Sequence, residues 1–250
     1  MKIKLLTLGL VALALFSCNK KTFNVNVELQ NAEGKMIYLQ KRADKELITI
    51  DSAMMQNNLV NFVVETSDIA AHYYVRIQGM RFPISFFSEN KDILISGDFK
   101  DDRNIIANGS DAQQLINDYN AEMKNFSNQS KELFEKYEIA SKKNDETAIQ
   151  AIESEYEQVE KNQTTYQNLF LTKNSNSFVA PYILYNNRYN YELNELEDFV
   201  NNFNIKEENI YSKLLDEYIT ALQRVDIGQP YLDFTQETPI SAVLLKTSRI

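Results

Sequence analysis

"IANGSDAQQLINDY", Ile106 to Tyr119, is where the chain changes its period. Upstream, apolar residues recur every second position, the signature of half-buried strands. Downstream they recur every three or four, the signature of an amphipathic helix. Ser110 and Gln113 have the spacing of a helix N-terminal capping box. Leu115, Tyr119, Met123 and Phe126 follow, and Leu133, Tyr137 and Ala140 continue the stripe. That predicts one helix of about 30 residues, roughly 45 Å long at 1.5 Å per residue. The expected class is therefore α+β: an N-terminal antiparallel β-sandwich or open barrel, then an α-helical domain with a long helical hairpin.

Working upstream, "FNVNVELQ" (Phe23 to Gln30) puts Phe23, Val25, Val27 and Leu29 on one face and polar residues on the other. "NAEG" (Asn31 to Gly34) is a turn signal, so the first two strands are expected to pair as a hairpin. "KMIYLQK", "ELITIDS", "LVNFVVE", "HYYVRIQ", "FPISFF" and "DILISGDF" supply further strands before residue 108. Pro83 cannot donate to a ladder, so its strand is expected to be an edge or to start near it.

Working downstream, "KKND" (Lys142 to Asp145) turns the chain, with Asp145 as the next N-cap. Ile152, Tyr156, Val159, Tyr166 and Phe170 mark a second helix. A third begins near Ser177 and tolerates Pro181 only in its first turn. Leu193 to Val200 is a short fourth, and Ile210, Leu214, Tyr218, Leu222 and Val225 line a last one.

The first 17 residues read as a leader. Lys2 and Lys4 precede an apolar run, "LLTLGLVALALF", too short to span a bilayer as a helix. "LFSC" ends it in a lipobox-like pattern at Cys18, the only cysteine. Cleavage before Cys18 and acylation of its thiol and amine would anchor the protein firmly, since two acyl chains hold where one is marginal. Asn19-Lys20-Lys21 carries no acidic run, so a periplasm-facing location in the cell envelope is expected. Organisation then follows as 1–17 signal peptide, 18–108 β-rich domain, 109–226 helical domain, and 227–250 a separate C-terminal piece.

Net charge is −9, with no Lys/Arg-rich run, which argues against a nucleic-acid partner. His72 is the only histidine, so a zinc site would need carboxylates almost alone; it reads as a strand residue. Asp101 and Asp102 fall in a polar link, and Glu153, Glu155, Glu157 and Glu160 on a solvated helix face. The glycines form no phosphate loop. Tyr182, Tyr185, Tyr189 and Tyr191 are dense enough to line a groove, but their spacing is that of a packing stripe. No catalytic, metal or cofactor-binding residue is assigned, and no cofactor is expected; lipidation at Cys18 is the one site.

The ordered run of these pieces resembles the N-terminal half of TlpA/ResA-like thiol–disulfide oxidoreductase lipoproteins, in which a β-rich domain of unknown function follows the lipobox. "ITIDSAMM" with Asp51 and Ser52, "LVNFVVE", "PISFFSENKDILISGD", "IANGSDAQQLINDY", "NSNSFVAPYILY" and "YSKLLDEYITAL" carry the likeness. "IGQPYLDFTQETP" is similar to the G-x-x-A-P-x-F entry into a thioredoxin-like domain, with Tyr231 where a small residue is usual. The resemblance implies that 227–250 is the start of such a domain, cut off before its Trp-Cys-x-x-Cys. The expectation is a non-catalytic module that binds or positions an envelope partner near the membrane. The alternative is an envelope enzyme with a carboxylate/tyrosine site, or a small-ligand binder using the open end of the β-domain.

Overall fold

The computed structural model describes residues 21–43, 46–67, 71–205, 210–228, 235–238 and 241–246, the last two ranges as backbone. The expected leader and Cys18 lie outside the described residues, as do Tyr231, Leu232 and Phe234.

Eight strands precede the first long helix: β1 (Thr22–Gln30), β2 (Met36–Ala43), β3 (Glu46–Met54), β4 (Leu59–Glu65), β5 (His72–Ile77), β6 (Ile84–Phe87), β7 (Ile93–Asp98) and β8 (Ile106–Asn108). They form two four-stranded sheets, ordered β4-β1-β7-β8 and β3-β2-β5-β6. The period-2 faces meet between the sheets: Val25, Val27 and Leu29 of β1, Ile37 and Leu39 of β2, and Val75 of β5 are fully buried in one core. The α+β expectation holds, as two facing sheets and no closed barrel.

Two strand pairings differ from expectation. β1 and β2 are not a hairpin; they belong to opposite sheets. Between them Asn31 (φ 58°) and Gly34 (φ 72°) take left-handed conformations, and Ala32 is buried in the core. The link thus caps the end of the sandwich. Placing the apolar face of β1 opposite that of β2, instead of beside it, buries both. β1 and β7 pair in parallel, Val25 opposite Ile93 and Val27 opposite Ile95, while the other pairings in the two sheets are antiparallel. β7 is reached by crossing back from β6 in the other sheet, so it enters beside β1 in the same direction. β6 is an edge strand and starts at Ile84, just after Pro83, which fits both parts of the expectation.

Five α-helices follow: α1 (Asp111–Lys142), α2 (Glu146–Lys173), α3 (Val179–Asn186), α4 (Leu193–Asn202) and α5 (Ile210–Arg224). Ser110 caps α1, accepting from the Gln113 backbone N–H at 3.0 Å, and Asp145 caps α2 through Ala148 N–H at 3.1 Å. Pro181 sits in the first turn of α3, where its missing N–H costs nothing. The near halves of α1 and α2 pack with α3, α4 and α5 around a second core containing Leu171, Val179, Leu184, Leu196 and Leu215. The far half of the hairpin has only a thin core of Phe126, Leu133 and Val159. Strands β9 (Thr235–Thr238) and β10 (Ser241–Lys246) pair antiparallel near the C-terminus.

Candidate functional site: an aromatic joint around His72

Alternation along β5 decides which residues leave the sandwich core. Tyr73, Val75 and Ile77 face inward; His72 and Tyr74 point the other way. On β6, Phe86 joins the sandwich core while its neighbour Phe87 is the one strand residue buried in the helical core. The outer face of this sheet is thus where the helices dock.

His72 is at the centre of that contact and only 5% exposed. Its ring stacks on Phe87, centroids 4.3 Å apart at 13°. The ring of Tyr182, from α3, meets it edge-on at 5.0 Å. Nδ1 lies 2.5 Å from the hydroxyl of Tyr211 on α5 and 3.0 Å from that of Tyr74. Arg42 Nε donates to the Tyr74 hydroxyl at 3.3 Å. Nε2 is buried with no hydrogen-bond partner among the described residues.

These surroundings keep the ring neutral. Burial, and secondarily the positive charge of Arg42, push the His72 pKa down to about 3. The imidazolium would carry an N–H at Nε2 with no acceptor among the described residues. Burial, then the Tyr74 phenol, push Tyr211 upward from its usual value, and burial does the same to Tyr182. Around neutral pH the cluster therefore holds an uncharged imidazole beside the protonated phenols of Tyr211 and Tyr182. It can bond the sheet to the helices. The imidazole ring is stacked on Phe87 and met edge-on by Tyr182, and little of it reaches solvent.

A second joint adjoins it. Ser110 Oγ donates to the Phe87 carbonyl at 2.5 Å, and Gln113 Oε1 accepts from the Phe87 N–H at 3.0 Å. The capping box is thus half made. Gln113 does not reach back to Ser110; its side chain satisfies the edge strand instead. Glu89 accepts from the Ala112 N–H at 2.8 Å, and Asn117 donates to the Ala107 carbonyl at 2.8 Å. The first turns of α1 are bonded to both sheets.

The tyrosines named from sequence do not share one groove. Tyr182 packs on His72 and Phe87; Tyr185 packs on Tyr211. Tyr189 is 73% exposed and accepts from Arg188 at 2.7 Å. Tyr191 accepts from Gln167 and donates to Asn168, and burial pushes its pKa up to about 12. Asp101 accepts from the Asn104 amide at 2.7 Å in an exposed turn, and Asp102 beside it is also exposed. Glu153, Glu155, Glu157 and Glu160 are exposed on α2. Sequence reasoning missed Arg42, Tyr74 and Tyr211. The alternation of "HYY" already placed His72 and Tyr74 on one face, but Tyr211 lies one position off the stripe read from Ile210 and Leu214.

The open end of the first sheet holds a cleft of about 600 Å³ beside Glu28, Asn58 and Asp98. One of its two acids, Asp98, is held below the usual carboxylate range by the Lys100 backbone N–H and the Asn31 amide. Among the described residues no three His, Cys, Asp or Glu side chains group as a metal site, and no helix is long and apolar enough to cross a membrane.

No curated protein and no solved structure matches the chain. Residues 22–116 match a family described as a domain of unknown function (DUF4369). The match runs from the first residue of β1 through all eight strands and into the opening turns of α1, so it includes Ser110 and Gln113, which close on Phe87. A DUF4369 domain thus occupies residues 22–116 and supplies His72, Tyr74 and Phe87 to the joint, while Tyr182 and Tyr211 come from the helices beyond it.

Proposed function

We propose that this chain is a lipid-anchored lipoprotein of the cell envelope, facing the periplasm. These residues act as a non-catalytic module that binds or positions a partner near the membrane. The observation that carries the reading is the closed joint at His72. The one imidazole of the chain is stacked, covered and held neutral between phenols. Such a group holds two layers in fixed relation, which suits a platform more than a reaction centre. The packing of Tyr182 and Tyr185 into that joint, ring against ring on Phe87 and Tyr211, favours the platform over a carboxylate/tyrosine enzyme.

Anchoring rests on the lipobox-like "LFSC" and Cys18. If that sulfur carries a diacylglycerol, no thiol remains in these residues for disulfide exchange. The finer reading, that the chain corresponds to the N-terminal half of TlpA/ResA-like oxidoreductases, rests on the order of the quoted motifs and on the thioredoxin-like entry at Ile227 to Pro239. The joint would then fix where a redox domain sits relative to the membrane.

Growing cells with a labelled fatty acid tests the anchor. The wild-type chain is expected to take up label and Cys18→Ala to lose it and leave the membrane fraction. An unlabelled wild-type chain with a reactive Cys18 thiol overturns the proposal. Turnover of an insulin-type disulfide substrate by the purified chain would overturn its non-catalytic part. Crosslinking in intact envelopes then identifies the partner.

A further inference from the structure

The far half of the α1–α2 hairpin is underfilled. Phe134 is 58% exposed, Tyr156 40% and Tyr137 37%, although Tyr137 and Tyr156 lie on the apolar stripes. With Leu133 and Ile152 they line a groove of about 400 Å³ between the two helices. Two helices alone bury a narrow seam, and most helical stability comes from packing an apolar face on something else. In the near half that something is α3 and α4; in the far half nothing among the described residues covers the groove.

The flanks of the groove differ in charge. On α2, Glu146, Glu153, Glu157 and Glu160 are all exposed, and their steps of seven, four and three put them on one face. Glu153 and Glu157 line the groove itself. On α1, Lys124, Lys131 and Lys142 are exposed at steps of seven and eleven, which again share a face. Glu135 and Glu138 accompany them, Glu135 within 3.9 Å of Lys131 on the same helix, leaving that flank net basic. A surface with a basic helix on one side of an apolar groove and an acidic helix on the other is complementary to itself under a two-fold rotation.

We propose that this face docks a second copy of the chain. Each α1 lies against the partner's α2, and the two hairpins close into a four-helix bundle over Phe134, Tyr137 and Tyr156. About 19 residues of each helix, roughly 28 Å long and 10 Å wide, would bury on the order of 550 Å² per partner. The total of about 1,100 Å² clears the roughly 1,000 Å² that a specific interface needs. The inference does not depend on lipidation or on the function of the β-domain.

The test uses the full chain in mild detergent, by sedimentation velocity. Wild type is expected to be dimeric at micromolar concentration. Glu153→Lys with Glu157→Lys and Glu160→Lys makes both flanks net basic, and Lys131→Glu with Lys142→Glu makes both acidic. Each variant alone is expected to dissociate, its Kd raised at least tenfold, while circular dichroism and melting temperature show it folded. An equimolar mixture of the two restores complementarity and is expected to dimerise again. A monomeric wild type, variants that stay dimeric, or a mixture that stays monomeric each overturns the proposal. So does a monomer whose hairpin instead binds vesicles of phosphatidylethanolamine and phosphatidylglycerol in a Phe134-dependent way.

Discussion

Nδ1 of His72, at the start of a strand, stands 2.5 Å from the hydroxyl of Tyr211, on a helix 139 positions later in the chain. Bonded polar atoms so far apart in sequence, in a site this buried, tie the β-rich part and the helical part into one unit.

The joint makes stability depend on pH. The folded His72 pKa is lowered, to about 3 from 6.5, by burial first and Arg42 second. The unfolded chain therefore takes up a proton that the folded chain refuses. The contribution of the neutral ring is complete above about pH 6.5 and is lost progressively as pH falls towards 3. The whole span is on the order of 5 kcal/mol. Melting temperature measured from pH 7.5 to 4 should fall more steeply for wild type than for His72→Phe, which keeps the stack on Phe87. Equal slopes would remove His72 as the cause.

Tyr211→Phe deletes the hydroxyl and leaves the ring. It strips one partner from His72 Nδ1 inside a buried site, which typically costs about 1–3 kcal/mol. Urea unfolding should show that loss. A double-mutant cycle with His72→Phe should be strongly non-additive, because both changes remove the same bond. Additive losses would mean that the two side chains contribute separately.

Phe87 is held three ways: its ring by the helical core, its carbonyl by Ser110 and its N–H by Gln113. Phe87→Ala should cost about 3–5 kcal/mol, like other buried phenylalanines. The informative readout is cooperativity. With the joint weakened, far-UV circular dichroism and tyrosine fluorescence should report separate transitions, where wild type gives one. A single transition in the variant would show that the remaining contacts suffice to couple the two parts.

Gly109 joins β8 to the cap of α1 at φ 136°, and a Cβ there would collide with the Asp92 carbonyl oxygen. Backbone cannot yield as a flexible side chain can. Gly109→Ala should therefore destabilise by more than about 3 kcal/mol, seen as a large drop in melting temperature. Gly34→Ala, which meets open space but keeps a positive φ, should cost about 1 kcal/mol. Similar losses at both positions would mean that the Gly109 contact relaxes.

Much of this protein was legible one residue at a time. The change of period at Gly109, the Ser110 and Asp145 caps, and the edge placement of the strand after Pro83 all depend on neighbours within a few positions. Each was read correctly, because local spacing and capping chemistry act locally. The helix stripes hold for most positions, but Tyr137 and Tyr156 are exposed, Val225 is exposed just past the end of α5, and the buried Tyr211 sits one position off its stripe.

What local pattern could not decide was which faces meet. Strict alternation in β1 and β2 fits a hairpin and a pair of opposed sheets equally well; only the shared core separated them, by burying Ala32 and the two apolar faces together. The same holds for Gln113, whose spacing fits a reciprocal cap but whose amide answers the free edge of β6. His72 looked like an ordinary strand residue because nothing near it in sequence foretells Tyr211. Sequence by itself determined the elements, their order and the lipobox-like Cys18. Tertiary structure alone decided the joint, because burial and hydrogen bonding between residues more than a hundred positions apart depend on how the layers close over one another.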